Sequence, residues 1–465
     1  MKHPDLTRID WQPELIKRYD LAGPRYTSYP TAPQFHSGFT EQDYRQALSE
    51  SNASGAPLSL YFHIPFCAKI CFYCGCNKIA TKDTRKCEPY LAHLIQEMDM
   101  LAAHIDTQRS VEQLHWGGGT PTFLSDEQMR RLMDATRERF NLRDDDQGDY
   151  SIELDPREVG DTTLPLLREL GFNRVSIGVQ DLDLEVQQAI NRVQPREMSQ
   201  RVLDESRALG FRSINFDLIY GLPHQDLARF SDTLEQVIEM GPDRLSVFNY
   251  AHLPSRFKPQ RRINEADLPS ADEKLKILEH SIGRLVKAGY VYIGMDHFAK
   301  PDDSLSLAQR EGRLHRNFQG YTTHSECDLL AIGASSIGQV GPTYIQNHHD
   351  AEAYQASIGN QQFATIRGLK LTQDDIIRRA AINQLICHFE LDGDTFGQQH
   401  DIAFNDYFAD ELIRLQQHEQ DGLLERQGNR LVVTPAGRLL IRSICMVFDA
   451  YLNQSQQTQK YSRII

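Results

Sequence analysis

The chain has 465 residues, too many for one ordinary core, so two or three units are expected. Hydrophobic content of 40% and charged content of 25% describe a soluble globular protein, and no apolar run approaches the length of a membrane span. A net charge of −14 argues against nucleic acid as the main partner but leaves room for a small anionic ligand in a local basic pocket, while eight cysteines and no secretory signal point to a reduced, cytoplasmic setting.

Residues 1 to 56 form an N-terminal arm. Its centre, Gly23-Pro-Arg-Tyr-Thr-Ser-Tyr-Pro-Thr31, carries two prolines and is no long helix. It is either a strap over the next domain or an ordered arm near a cavity mouth with Arg25 offered to a carboxylate.

From residue 58 strands alternate with amphipathic helices. Strands are expected at 58–64, 112–117, 150–155, 174–180, 213–219 and 244–250, with helices such as Glu88–Ile105, Asp126–Phe140, Leu164–Leu170 and Leu227–Met240. Such alternation predicts βαβ units and a parallel sheet. One face is polar in strand after strand: Ser59, Tyr61 and His63; Ser151, Glu153 and Asp155; Ser176, Gly178 and Gln180; Asn215 and Asp217. A closed barrel of branched apolar side chains does not read this way. An incomplete, wider barrel, six (β/α) units around a polar lumen, does.

The first strand runs directly into Cys67-Ala-Lys-Ile-Cys71-Phe-Tyr-Cys74-Gly-Cys76. Three cysteines at C-x3-C-x2-C spacing let one short loop hold an iron–sulfur cluster, and three ligands leave one iron of a four-iron cluster open. That open iron is what reductive cleavage of S-adenosylmethionine (SAM) requires. Structural zinc sites carry two separated ligand pairs, and no second pair follows. A C-x-C pair is cramped for two ligands of one cluster, so Cys76 is read as a neighbour of the ligands or a substrate-side residue. Cys87, Cys327, Cys387 and Cys445 are scattered and read as ordinary small buried side chains. Trp116-Gly-Gly-Gly-Thr-Pro121 ends the second strand, where bare backbone can approach a ligand closely. It is neither a phosphate-cradling loop nor a dinucleotide fingerprint.

Beyond the barrel come a strand-like run, Val291–Phe298, and a cationic, aromatic stretch, Arg310–Tyr321, whose Arg310, Arg313 and Arg316 suit propionates unless the stretch is a solvated loop. Asp328–Gly338 is rich in small residues. The last hundred residues read as a helical unit, with helices at Thr372–His388 and Phe404–Gln416 and a hairpin over Asp421–Gly437 leading into a final helix, in the order of a winged helix. The linear division is thus 1–56 arm, 57–300 barrel, 301–365 barrel extension and 366–465 helical domain.

The cysteine spacing after a first strand resembles the signature of the radical SAM enzymes, and the glycine run resembles the strand by which they hold the methionine amino group. Tyr61-Phe-His-Ile-Pro-Phe-Cys67, Cys76, Pro24-Arg-Tyr-Thr-Ser-Tyr-Pro-Thr31, His115-Trp-Gly-Gly-Gly-Thr-Pro121 and the C-terminal unit together resemble the oxygen-independent coproporphyrinogen III dehydrogenase family across almost the whole chain. The resemblance implies a partial (β/α)6 radical SAM barrel with an N-terminal arm and a winged-helix-like C-terminal domain. It also implies a haem-biosynthetic reaction that turns two propionates of coproporphyrinogen III into the vinyls of protoporphyrinogen IX by a deoxyadenosyl radical. It implies one [4Fe-4S] cluster on Cys67, Cys71 and Cys74, and two SAM molecules contacted by Tyr61, Tyr73, Gly118, Gly119, Thr120, Glu153, Gln180, Arg192, Asp217, Ala251 and Ile337. No acid–base residue is implied. An electron donor such as flavodoxin and an unidentified electron acceptor are expected as partners. Other tetrapyrrole readings are a haem-modifying radical SAM enzyme and a haem-binding chaperone.

Overall fold

The computed structural model describes residues 8–452. Two compact units result, and they are cut differently in space than along the chain. One holds Phe35–Ile277 and Glu326–Lys370; the other holds the chain up to Gln34, Leu278–Ser325 and the chain from Leu371.

The first unit is built on six parallel strands: β1 (Leu58–Ile64), β2 (Ser110–Gly118), β3 (Asp149–Leu154), β4 (Arg174–Gln180), β5 (Ser213–Tyr220) and β6 (Arg244–Asn249). They lie side by side in sequence order. A seventh parallel strand, β7 (Asp328–Ile332), pairs with the free side of β1. Antiparallel strands β8 (Ile337–Val340), β9 (Thr343–Asn347) and β10 (Thr365–Lys370) continue from it, so the small-residue run Asp328–Gly338 is two strands joined by a turn.

The connecting helices form where the sequence supplies caps. Ser125 and Gln128 make a reciprocal capping box at the start of α2 (Asp126–Arg139), which follows α1 (Cys87–Ala102). The chain continues through α3 (Thr163–Glu169), α4 (Arg196–Ala208) and α5 (Leu227–Met240). Asp226 caps α5, and Gly241 closes it in the left-handed region at φ +69°.

Alternation then sorts the side chains. Leu60 and Phe62, Leu114 and Trp116, Ile152 and Leu154, Val175 and Ile177, Phe216 and Leu218 are essentially unexposed. Each such side chain contributes about 1.5–3 kcal/mol of burial. Trp116 sits edge-on to Phe62 and Phe172 at 6.1 and 4.9 Å between ring centroids, locking β1 and β2 to the helical layer. The same register lines up the opposite, polar set. Tyr61 pairs with His115, His115 with Ser151, Glu153 with Ser176, and Asp217 with both Gly178 and Ser246.

The second unit contains the long helix Gln373–His388, with Thr372 and Asp375 forming its capping box, and a three-stranded sheet ordered Glu390–Asp392, Arg430–Val433, Leu424–Gln427. The helix expected over Phe404–Gln416 is two, Phe404–Tyr407 and Ala409–Gln420, broken where Phe408 turns into an aromatic cluster with Phe396, Phe404 and Phe448. The run Val291–Phe298 is a hairpin turning at Met295, φ +54°. The arm is strapped down here. Buried Arg442 donates to the carbonyls of Gly23 and Pro24, Tyr26 donates to Asp449 at 3.0 Å, and Arg25 pairs with Asp296 at 2.5 Å.

Candidate active site

The cysteine loop leaves β1 and is closed by a short parallel ladder, Phe66–Cys67 against Ile79–Ala80, with Ile79 N–H donating to Pro65 O and Thr81 N–H to Cys67 O. Cys67 and Cys71 are buried, Cys74 is half-buried and Cys76 exposed. The loop is anchored from below. Phe72 and Tyr73 pack on Val186, Ile190, Leu222, Tyr250 and Ile263, Phe72 N–H donates to Ile190 O, and Asn191 donates to Ile70 O at 2.8 Å. Gln260, unremarked in the sequence, ties Tyr73 O (2.8 Å) to Ala251 O (3.2 Å) and accepts from Leu253 N–H (2.6 Å).

Positive charge gathers beside the loop. Arg157 and Arg192 both point a guanidinium N–H at Cys71 Sγ, at 3.3 and 3.5 Å, and share Asp155 as counter-ion. Burial pushes the Cys67 thiol up to about 11, while the neighbouring Cys76 thiol, helped by Lys78, pulls Cys74 down to about 5. Cys76 N–H also donates to Cys74 Sγ at 3.4 Å, which makes Cys76 a neighbour of the loop's thiols.

The glycine run crosses directly behind this loop. Gly119 N–H donates to Ile64 O, Thr120 N–H to Phe66 O, and Thr120 Oγ1 to Cys67 Sγ at 3.5 Å. A Cβ at Gly119 would lie 2.7 Å from the Pro65 carbonyl. One at Gly118, φ +113°, would lie 2.6 Å from the His63 ring. Only glycine fits both positions.

The polar face holds two hydrogen-bonded groups side by side. Tyr61 stacks on His115 at 5.8 Å, and His115 meets Ser151 Oγ at 2.6 Å and Glu153 at 3.5 Å. Gly118 N–H donates to Glu153 at 3.0 Å. Asp217 accepts from Ser176 (3.0 Å) and Asn215 (2.8 Å), and Ser246 reaches Asn215 at 3.2 Å. The two acids respond in opposite directions. Burial, then the Glu153 charge, raises Asp217 to about 6. Burial alone would raise Glu153 too, but His115 and the Gly118 N–H hold it below its usual range.

Gln180 departs from simple alternation. A bulge falls between Gly178 and Gln180, and Gln180 takes φ +68°. Its amide still lies over Gly178, where a Cβ would sit 2.7 Å from Gln180 Nε2 and 2.9 Å from Arg192 Nη2. Buried Arg192 donates to Asp155 (2.9 Å) and Gly178 O (2.6 Å), which leaves its Nε without a partner. Asp155 lies past the end of β3 and serves the two arginines, and so leaves the row that runs through Glu153. Ala251 follows β6 and is exposed, while Ile337 starts β8 half-buried, so neither belongs to the core. Arg157 and Gln260 are the residues that sequence reasoning missed; for Arg157 the signal was Asp155-Pro-Arg157 at the end of a polar-faced strand, and for Gln260 there was none.

Of the expected carboxylate-binding cations, Arg310 and Arg313 are exposed, Arg313 against Glu311. Arg316 is buried, its guanidinium 4.7 Å over the Tyr321 ring with Nε and Nη1 unpartnered.

A family model described as the radical SAM superfamily matches residues 61–237, and one for the HemN C-terminal domain matches residues 371–440. The chain is 55% identical to the oxygen-independent coproporphyrinogen III oxidase of Pseudomonas aeruginosa, over 99% of this chain and 100% of that protein. It is 50% identical to that of Escherichia coli, over 98% of this chain and 99% of that protein. The solved structure of coproporphyrinogen III oxidase (HemN) from Escherichia coli, described as a radical SAM enzyme, matches with a TM-score of 0.91 at 50% identity, covering 96% of this chain and 100% of that one. A three-cysteine loop at the head of a six-stranded partial barrel and full-length identity of this order have one reading: the chain belongs to the oxygen-independent coproporphyrinogen III oxidase family of radical SAM enzymes.

Proposed function

We propose that this protein oxidatively decarboxylates two propionates of coproporphyrinogen III to vinyl groups without oxygen, giving protoporphyrinogen IX. The observation that carries this is the polar face from Tyr61 to Ser246 beside the loop that carries Cys67, Cys71 and Cys74. When bound, a [4Fe-4S] cluster and SAM supply the radical that removes a hydrogen atom from the propionate side chain.

The residues present fit that pair of groups. Cys67, Cys71 and Cys74 would hold the cluster, with Arg157 and Arg192 offsetting its negative charge at Cys71. Gly118, Gly119 and Thr120 give a backbone bare enough for a ligand to lie on. Glu153, kept ionised by His115 and the Gly118 N–H, suits a ligand ammonium group, and the unpartnered Nε of Arg192 suits a carboxylate. Tyr61, Tyr73, Gln180, Asp217, Ala251 and Ile337 complete the set proposed to contact two SAM molecules. The residues do no acid–base work of their own; they orient the ligands and limit water around a reactive centre. A small protein electron donor, an electron acceptor and a cytoplasmic setting belong to the same proposal; among the described residues no helix is long and apolar enough to cross a membrane.

Anaerobic incubation with SAM, a strong reductant, an electron acceptor and coproporphyrinogen III tests it by mass analysis of the tetrapyrrole. Loss of two carbon dioxide units and two pairs of hydrogen is expected. Unchanged coproporphyrinogen beside tightly held or consumed haem would overturn the proposal.

A further inference from the structure

In a chain of net charge −14, two cation-rich segments meet at the cysteine loop. Residues 69–86, which contain most of the cysteine loop, carry five cations and a single carboxylate, Asp83. Residues 251–264 carry four cations and no carboxylate. These segments are neighbours. Gln260 bonds the Tyr73 carbonyl, the Phe257 ring lies against Gly75, and the Arg262 guanidinium sits 5.2 Å over the Phe72 ring. Nearby carboxylates are engaged already: Asp83 by Arg85, Glu158 by Lys69, Asp183 and Glu185 by Arg229.

A second observation falls on the same place. Among the described residues of this unit, the exposed large hydrophobics are Leu184, Val193 and Leu253, at 57, 49 and 42% exposure. All three sit on segments bonded to the cysteine loop, through Ile190 and Asn191 on one side and Gln260 on the other. Gly75, exposed in the cysteine loop, lies between the two segments under the Phe257 ring. Apolar anchors within a charged rim are the anatomy of a protein–protein interface, and scattered surface lysines alone do not have it.

We infer that this face is the docking surface for an acidic one-electron carrier protein. The inference rests on the radical SAM reading of the loop. The carrier is oxidised by one electron as the enzyme is reduced by one, and docking here sets the carrier's redox group beside the cysteine loop. Complementary charge acts mainly on the rate of encounter and is screened by salt, while Leu184, Val193 and Leu253 hold the docked pair.

The test uses the reconstituted holoenzyme and reduced flavodoxin, an acidic flavin protein, as probe. Flavodoxin affinity should fall about tenfold between roughly 50 and 300 mM salt. The double variant R256E/K258E should lose about tenfold at low salt, and Leu253→Ser should weaken binding without changing its salt dependence. Turnover driven by dithionite, which needs no docking, should be unchanged in both. Wild-type affinity in the charge-reversed enzyme would overturn the inference, as would an equal loss of dithionite-driven turnover or a raised KM for the tetrapyrrole, which would make these cations a substrate site. Absence of dithionite-driven decarboxylation in the wild type would sink the proposed function instead, and flavodoxin binding would still report on the surface.

Discussion

Asp217 and Glu153 lie on one polar face, yet only Glu153 has a basic neighbour. Raised from 3.8 to about 6, Asp217 favours the folded state fully below pH 3.8, and that contribution is lost as pH rises through about 6. Asp217→Asn should therefore melt no lower than wild type at pH 8, while SAM affinity of the holoprotein drops. Wild-type affinity should itself weaken as pH falls from 7 to 5, and the Asn variant should lose that dependence; unfolding of the variant would make Asp217 structural. Gly119 yields a steric prediction. An alanine methyl would press on the Pro65 backbone at 2.7 Å, which is rigid, so Gly119→Ala should cost about 1–3 kcal/mol in chemical denaturation and lower the iron retained on reconstitution. Gly283→Ala, in the helix Ala271–Lys287 with nothing within 4 Å, is the control and should be neutral or stabilising.

At the scale of elements, the turn between β7 and β8 depends on one buried acid. Glu97 on α1 accepts from Gly333 N–H (2.8 Å), Asn347 Nδ2 (2.8 Å) and Tyr354 OH (2.6 Å), and this fixes the turn that delivers Ile337. Burial raises it from 4.5 to about 7, so its contribution to stability is full below pH 4.5 and fades as pH rises through 7. Glu97→Ala leaves three buried donors and should cost about 3 kcal/mol, read as a lowered denaturation midpoint; an unchanged midpoint would mean the turn holds by itself. The strands, the polar face and the cysteine loop were legible because period-two alternation and close cysteine spacing are local signals. The bulge at Gln180 was not, since a positive φ in a non-glycine residue follows from packing around Arg192. Gln260 was not either, because its three partners are brought together only by the folded loops. Ala251 and Ile337 are apolar and carried no signal of their own as ligand contacts, and strand ends leave the first exposed and the second half-buried.

At the scale of the molecule, the arm read as two equal possibilities because its partners lie some four hundred residues away, and the strap became visible only with Arg442 beneath Gly23 and Pro24. Replacing Arg442 with methionine removes both bonds from two buried carbonyls; limited proteolysis should then cut within residues 8–30, where the wild type resists. The central claim is that three cysteines hold a cluster whose fourth iron is open to SAM. Electron paramagnetic resonance of the anaerobically reconstituted, reduced protein, with and without SAM, tests it most directly. A four-iron signal that changes when SAM is added, persists in Cys76→Ala and vanishes in Cys67→Ala, Cys71→Ala or Cys74→Ala is the predicted result. A signal indifferent to SAM, or a colourless protein holding one zinc ion, would contradict it.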